Sequence, residues 1–368
     1  MKVLLISVRA DHGGGPRHLE MLLDGLGANV ACFVACPNEP PYQSRFERLV
    51  CGPVFKLPHR RFRIGAAVAL IEFVRRQGIE LIHAHGKGAG AYARIVSAAT
   101  CVPCIHTPHG VHVGEYGVLK LAMYRAYENL SSRWVDGVIY VSRDESEVAA
   151  RFGLWQRCRT WIIPNGVRSK PVGVEESRRR AARKALGLCE GAFVVASVSR
   201  FNYQKNMDEA FSIARLLPGM VFAWLGDGPD HDALKALARE EGANNILFLG
   251  LSESSDEVLG AADAYLATSR WEGLPLAVLE AMAMGIPIVV SDVVGHRQIV
   301  DGYGVGLSYA LGDCRQAARL LAALRGDPAR RRELGTHARQ VQQSEFSVAK
   351  MCDSVLSVYR TVLEGRSR

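Results

Sequence analysis

One rhythm constrains this chain more than any other feature. A short β-branched or apolar run, a loop carrying Gly or polar residues, and a segment of helical period recur along most of its length. Val3–Val8 precedes Pro16–Leu26, Glu80–Ile82 precedes Gly88–Ala99, and Gly137–Val141 precedes Arg143–Phe152. In the first of these helices Leu19, Leu22, Leu23 and Leu26 share a face, and the third opens with Ser142-x-x-Glu145, the spacing of a capping box. Parallel neighbours in a sheet need a long crossover, which a helix supplies, so the alternation predicts βαβ units and an α/β fold.

The rhythm breaks once. At Trp161–Val167 a strand ends in Pro164-Asn165-Gly166, an Arg-rich polar stretch runs to Gly187, and the alternation restarts at Phe193–Ser199. It continues through Met220–Leu225, Ile246–Leu249, Ala264–Thr268 and Ile286–Val290. A chain of 368 residues is expected to make two domains at roughly 100–200 residues each. The predicted organisation is two doubly wound, Rossmann-like domains over 1–168 and 169–345, then a terminal segment 346–368. There Val348, Met351, Val355, Val358 and Val362 recur at helical spacing.

Composition narrows the class further. With 48% hydrophobic and 22% charged residues, disorder, collagen and coiled coil are excluded. The longest apolar candidate, Leu274–Val290, is interrupted by Glu280 and two prolines, too polar to span a membrane. Met1-Lys2 runs directly into an apolar strand, which favours the cytoplasm over a secreted chain. Nine cysteines at irregular spacing, with the lone pair Cys101-Val102-Pro103-Cys104, point to reduced core thiols rather than disulfides or a metal site. A net charge of +8 suits anionic partners, leaving nucleic acid, phosphorylated small molecules and an anionic membrane surface open. His59-Arg60-Arg61-Phe62-Arg63 is the candidate for contact with such a membrane or with an acceptor.

Doubly wound sheets bind ligands at the carboxyl ends of their strands, so three loops matter most. Gly13-Gly14-Gly15 follows the first strand and opens its helix, where backbone can approach a phosphate or sugar; it is not GxGxxG, because His18 takes the third glycine's place. Arg200 and Lys205 lie five residues apart after the strand Phe193–Ser199 and can clamp a diphosphate. Glu272 lies in the loop before a helix that Pro275 opens, and Glu280 lies within that helix among apolar neighbours, where it needs a polar partner. Such a carboxylate pair could bind sugar hydroxyls, act as a glycosidase pair or hold a metal.

The segment Glu-Gly-Leu-Pro-Leu-x-x-Leu-Glu-Ala-Met-Ala, from Glu272 to Ala283, resembles the signature of the family-four retaining glycosyltransferases of GT-B fold. In family order stand Gly13–Gly15 with Arg17-His18, His83-Ala84-His85-Gly86, Thr107-Pro108-His109-Gly110, Ile163–Val167, Arg200 with Lys205, and Leu225–Pro229. The resemblance implies two Rossmann-like domains facing across a cleft, the first on the acceptor side and the second holding a nucleotide sugar, with the final helix returning to the first. It implies that Arg200 and Lys205 hold the donor diphosphate and Glu280 the ribose hydroxyls. Glu272 and the N–H groups of Gly273 and Leu274 would meet the donor sugar or its phosphate, and His109 the sugar. Gly13–Gly15 would face the diphosphate. Gln298 stands where many members carry Glu.

The implied activity is metal-independent, retaining transfer from a nucleotide diphosphate sugar, favoured as a UDP-sugar, to a glycan or lipid-linked acceptor in bacterial surface-polysaccharide synthesis. No cofactor, metal or nucleic acid is expected, and the enzyme would work in the cytoplasm or on the inner face of the membrane. Two alternatives predict different residues. A dinucleotide oxidoreductase calls for GxGxxG and an acidic end to the second strand, which instead reads Val34-Ala35-Cys36-Pro37. A catalytically silent nucleotide-sugar-binding module would be expected to lack Glu272, Arg200 or Lys205. Asp230-His231-Asp232 is expected to cap a helix rather than bind metal, and Arg178–Arg180 and Arg330–Arg332 to be solvated.

Overall fold

The computed structural model describes residues 1–27, 30–111, 116–171, 175–252 and 254–366. The chain divides into two compact units, one of Met1–Gly166 with the segment from Val348 onward, the other of Val167–Ser347.

The first unit runs β1 (Lys2–Ser7), α1 (Gly14–Leu26), β2 (Ala31–Cys36), α2 (Tyr42–Glu47), β3 (Phe55–Lys56), α3 (Ile64–Gln77), β4 (Leu81–His85), α4 (Lys87–Thr100), β5 (Cys104–Thr107), α5 (Val118–Ser131), β6 (Gly137–Tyr140), α6 (Arg143–Arg151) and β7 (Arg159–Ile162). The second runs α7 (Glu175–Ala185), β8 (Val194–Val198), α8 (Met207–Leu216), β9 (Val221–Leu225), α9 (His231–Glu240), β10 (Ile246–Phe248), α10 (Asp256–Ala261), β11 (Ala264–Ala267), α11 (Leu276–Ala283), β12 (Ile288–Ser291), α12 (Arg297–Tyr303), β13 (Leu307–Tyr309), α13 (Cys314–Gly326) and α14 (Pro328–Glu345). The last helix, α15 (Val348–Arg366), belongs to the first unit.

Both sheets are parallel and share one winding. The first is ordered β3-β2-β1-β4-β5-β6-β7 and the second β10-β9-β8-β11-β12-β13. Central strands are covered by helices on both faces, which is why Val3–Ile6 and Val194–Ala196 are continuous apolar runs, fully buried. In each sheet the order reverses next to the first strand, between β1 and β4 and between β8 and β11. Loops leaving those strand ends diverge and open a crevice.

Several local expectations shift. α1 begins at Gly14, so Gly14 and Gly15 form its first turn rather than a loop before it. β4 extends to His85, because His83 and His85 are themselves buried strand residues. Asp230 sits at the N-cap of α9 but makes no side-chain cap, and Asp232 bonds His231 instead. Arg179 and Arg331 are not simply solvated: both approach Asp263, the first at 2.6 Å and the second at 4.0 Å. None of the nine cysteines is in a disulfide.

α15 packs along α1. A Cβ on Gly25 would lie 2.4 Å from Cys352 Sγ, so only glycine admits the last helix at this depth. Met351, Val355, Val358, Tyr359 and Val362 are buried, and the Tyr359 hydroxyl lies 2.7 Å from His83 Nδ1.

Candidate active site

In the second unit the loops after β8 and β11 are laced into one structure at the crevice. Arg270 N–H donates to the Gln204 carbonyl at 2.8 Å, Gln204 Nε2 donates to the Trp271 carbonyl at 3.0 Å, and the Thr268 hydroxyl bonds the Lys205 and Asn206 carbonyls at 3.0 and 2.9 Å. This places Lys205 Nζ 2.5 Å from Glu272 Oε1, which also accepts from the Ser269 hydroxyl at 2.6 Å. Glu272 is buried. Burial alone would raise its pKa, but Lys205, His296 and the Ser269 hydroxyl together hold it below the ordinary carboxylate value. It is therefore a fixed anion at neutral pH.

The loop after β12 closes over this pair. Glu272 N–H donates to the Val294 carbonyl at 3.1 Å, and Gly295 has φ 89° with a notional Cβ 2.7 Å from the Gly273 carbonyl and 2.8 Å from Glu272 Cβ. No side chain fits there. His296 follows, buried, its Nδ1 2.8 Å from the Ser291 carbonyl and its pKa lowered by burial against the pull of Glu272. Glu280, on α11, accepts from the Ser255 hydroxyl at 2.7 Å, the polar partner its apolar surroundings demand. Arg200 is half-buried on the loop after β8; Gly273 and Leu274 lie between Glu272 and the start of α11.

In the first unit the corresponding crevice gathers histidines. His85 Nδ1 lies 3.1 Å from His109 Nε2, and the His18 ring on α1 meets the His109 ring edge-on with centroids 4.5 Å apart. Burial, reinforced by repulsion from neighbouring histidines, His18 and His83 among them, pushes the pKa values of His85 and His109 well down, and burial takes His18 to about 4. All three are neutral imidazoles at pH 7, suited to hydrogen-bonding hydroxyls. They are also the one group among the described residues whose ligand atoms, within 4.8 Å of one another, could gather on a metal ion. A cation there would have to break the His85–His109 contact and sit without a carboxylate. Gly13–Gly15 open α1 one turn before His18.

The structure thus joins Lys205 to Glu272 directly, sets Glu280 on the adjoining helix, and joins His109 to His18 and His85. Sequence reading missed Ser269, Thr268, Gln204 and His296 as site residues. The Gly295-His296 pair in the loop after β12 was the one available hint of His296.

Comparison with known proteins follows the two units. Residues 12–170 match the family described as Glycosyltransferase Family 4, and residues 178–341 match Glycosyl transferases group 1. The chain belongs to the family-four glycosyltransferases of GT-B fold. The oxidoreductase alternative falls with that assignment. Among similar proteins, an Escherichia coli UDP-Gal:alpha-D-GlcNAc-diphosphoundecaprenol alpha-1,3-galactosyltransferase is 25% identical over 79% of this glycosyltransferase and 78% of that protein. The putative teichuronic acid biosynthesis glycosyltransferase TuaC of Bacillus subtilis is 24% identical over 88% and 80%. Anabaena HepE, solved in complex with UDP-glucose, superposes with a TM-score of 0.85 at 20% identity, covering 98% of this chain and 100% of HepE.

Proposed function

We propose that this glycosyltransferase is a retaining, metal-independent enzyme that moves a sugar from a UDP-sugar to a glycan or lipid-linked acceptor in bacterial surface-polysaccharide synthesis. The observation that carries the reading is the Lys205–Glu272 pair at the β8/β11 crevice, 2.5 Å apart on one laced set of loops, with Arg200 on the same loop as Lys205. Cations fixed where a diphosphate departs stabilise its growing charge and take the role a metal has in other transferases. Glu272 and the backbone of Gly273 and Leu274 meet the donor sugar or its phosphate, Glu280 holds the ribose hydroxyls, and Gly13–Gly15 are assigned to the diphosphate. His109, a neutral imidazole, hydrogen-bonds the sugar.

In the transfer, the bond between the anomeric carbon and the phosphate oxygen breaks. The acceptor oxygen bonds that carbon on the same face, and its proton passes to a departing phosphate oxygen. Retention follows from attack on the leaving-group side. The test is transfer from UDP-glucose, UDP-galactose and UDP-N-acetylhexosamines to undecaprenyl-diphosphate-linked acceptors in excess EDTA, with product anomers read by NMR. Undiminished turnover giving α-linked product from an α-donor is expected. Complete loss in EDTA, restored by Mg or Mn, or β-linked product, overturns the corresponding half.

A lipid-linked acceptor requires reach to a membrane. No described helix is long and apolar enough to cross one. α5 instead turns an apolar stripe outward: Val118 is 89% exposed, Leu119 75%, Met123 66% and Leu130 66%, with Lys120 and Arg125 also exposed on the same helix. On α3 and the strand-like approach to it, exposed Ile64 and Val68 adjoin exposed Arg60, Arg61, Phe62 and Arg63. Apolar side chains beside basic ones suit the interface of an anionic bilayer. Cosedimentation with phosphatidylglycerol vesicles should be lost in Leu119→Glu/Met123→Glu; binding unaffected by that change would refute this contact.

A further inference from the structure

The turn that carries His109 is held in a conformation its own residues disfavour. β5 ends at Thr107; after Pro108, His109 has φ 56° and Gly110 φ 112°. A non-glycine residue with positive φ is strained and persists where its surroundings over-determine it. One side chain outside the turn does so. Glu145, in the first turn of α6 and 2% exposed, accepts the Gly110 N–H on Oε1 at 2.5 Å and the Val141 N–H on Oε2 at 2.8 Å. Its own N–H donates to Ser142 Oγ at 3.0 Å. Only half of the capping box is therefore made: the N-cap serine caps the helix, but the glutamate reaches beyond the N-cap to clamp the end of β6 to the turn after β5.

We propose that Glu145 is a positioning residue for His109, its carboxylate fixing the backbone of the His109-Gly110 turn so that the imidazole stands among His18 and His85, and that its ionised form alone holds both ends of the clamp. The inference rests on the placing of His109 at the donor sugar. A carboxylate has two accepting oxygens, one for each N–H. A protonated carboxyl has turned one of them into a donor, and one N–H loses its partner. Burial pushes Glu145 up to about 7 against the two backbone N–H groups that favour its charge, so the clamp changes state near neutrality. The titratable groups that neighbouring elements bring to it are the Tyr140 phenol of β6, itself pushed up by burial and by the Glu145 charge, and the neutral His109. Arg143, Asp144 and Glu147 share its helix.

The clamp can be read without turnover. In the full-length protein, the Gly110 amide is followed by 15N-resolved NMR from pH 5.5 to 8.5. Its proton should move downfield with a midpoint near 7 as the carboxylate forms, equally in His109→Ala, and should not titrate in Glu145→Gln. In kinetics, Glu145→Gln should lower kcat about tenfold, the size expected for one charge-assisted hydrogen bond. It should also abolish the acid limb near pH 7 that the wild type shows, with thermal stability retained. A Gly110 amide that does not titrate, or a Glu145→Gln enzyme with wild-type kcat and acid limb, overturns the proposal. If the amide titrates as expected but His109→Ala keeps full turnover, the clamp stands and the placing of His109 at the sugar is what fails.

Discussion

Arg200 and Lys205 have the same proposed task. Arg200→Ala should lower kcat by about 10²–10³, the loss typical of a preorganised charge-stabilising donor. Lys205→Ala should lower kcat similarly and also destabilise the fold, because it strips the cation from a buried carboxylate, Glu272, 2.5 Å away. Steady-state kinetics of both variants beside thermal unfolding of Lys205→Ala checks this; a Lys205→Ala melting temperature equal to the wild type's would refute the coupling. The buried histidines and Glu145 give stability two opposite pH slopes. His18 and His83 are neutral in the fold, with pKa values lowered to about 4 and about 3, so the stability they contribute is full above about 6.5 and is lost as pH falls toward those values. Glu145 is raised, so its contribution is full below about 4.5 and lost as pH rises to about 7, a difference of roughly 3 kcal/mol. Urea unfolding of wild type and Glu145→Gln at pH 5 and pH 8 isolates that group, since the histidines are common to both. The wild type should lose about that much more between the two pH values. None of this was readable from the chain. Glu145 looked like an ordinary capping glutamate because its partner Gly110 lies 35 residues away, and Lys205 read as one arm of a diphosphate clamp with no sign of its ion pair, because Glu272 lies 67 residues away. Local spacing reports helix caps and periodicity, not which loops a closed sheet brings together.

At the scale of elements, the strands and helices were legible because burial on both faces leaves continuous apolar runs and crossover helices leave one-sided periodicity. What the pattern missed are the polar ties between elements. Asp263, 6% exposed, precedes β11 and accepts from Arg183 at 2.7 Å, Arg179 at 2.6 Å and the Val194 N–H at 2.8 Å, binding α7 and the start of β8 to one carboxylate. The arginine run of α7 read as solvent-facing because charge density, not direction, is what a run displays. Removing Asp263 as Asp263→Ala strands a buried guanidinium, Arg183, and should cost about 3–5 kcal/mol in denaturant unfolding. Asp263→Asn, which keeps acceptors, should cost less. Gly295→Ala is the corresponding test at the crevice. Its positive φ and the 2.7 Å approach to the Gly273 carbonyl force the loop off Glu272, so kcat should fall by at least about tenfold. An alanine enzyme with wild-type kinetics would show that this loop does not set the glutamate.

At the scale of the molecule, the two sheets repeat one strand order without a visible sequence repeat, because winding depends on where apolar runs fall and not on which residues fill them. The terminal helix was legible by the same logic: its apolar stripe appears after the second unit's alternation has ended, so it needs a sheet other than that one to cover it. Truncation before Val348 should leave α1 uncovered where Cys352 meets Gly25, and should abolish cooperative melting of the first unit, whereas removal from Gly365 onward should be neutral by calorimetry. A truncated chain melting like the full one would overturn this. The arrangement also sets an order of events at the ribosome. The first unit is interrupted by all of Val167–Ser347, and at roughly 5–20 residues per second its closing helix emerges some 10–40 s after the rest of its sheet has been made. The second unit, continuous in the chain, can finish folding first, while the half synthesised earlier waits for its last segment with the α1 groove bare. Nascent-chain chaperones should therefore dwell on the N-terminal half until α15 has emerged.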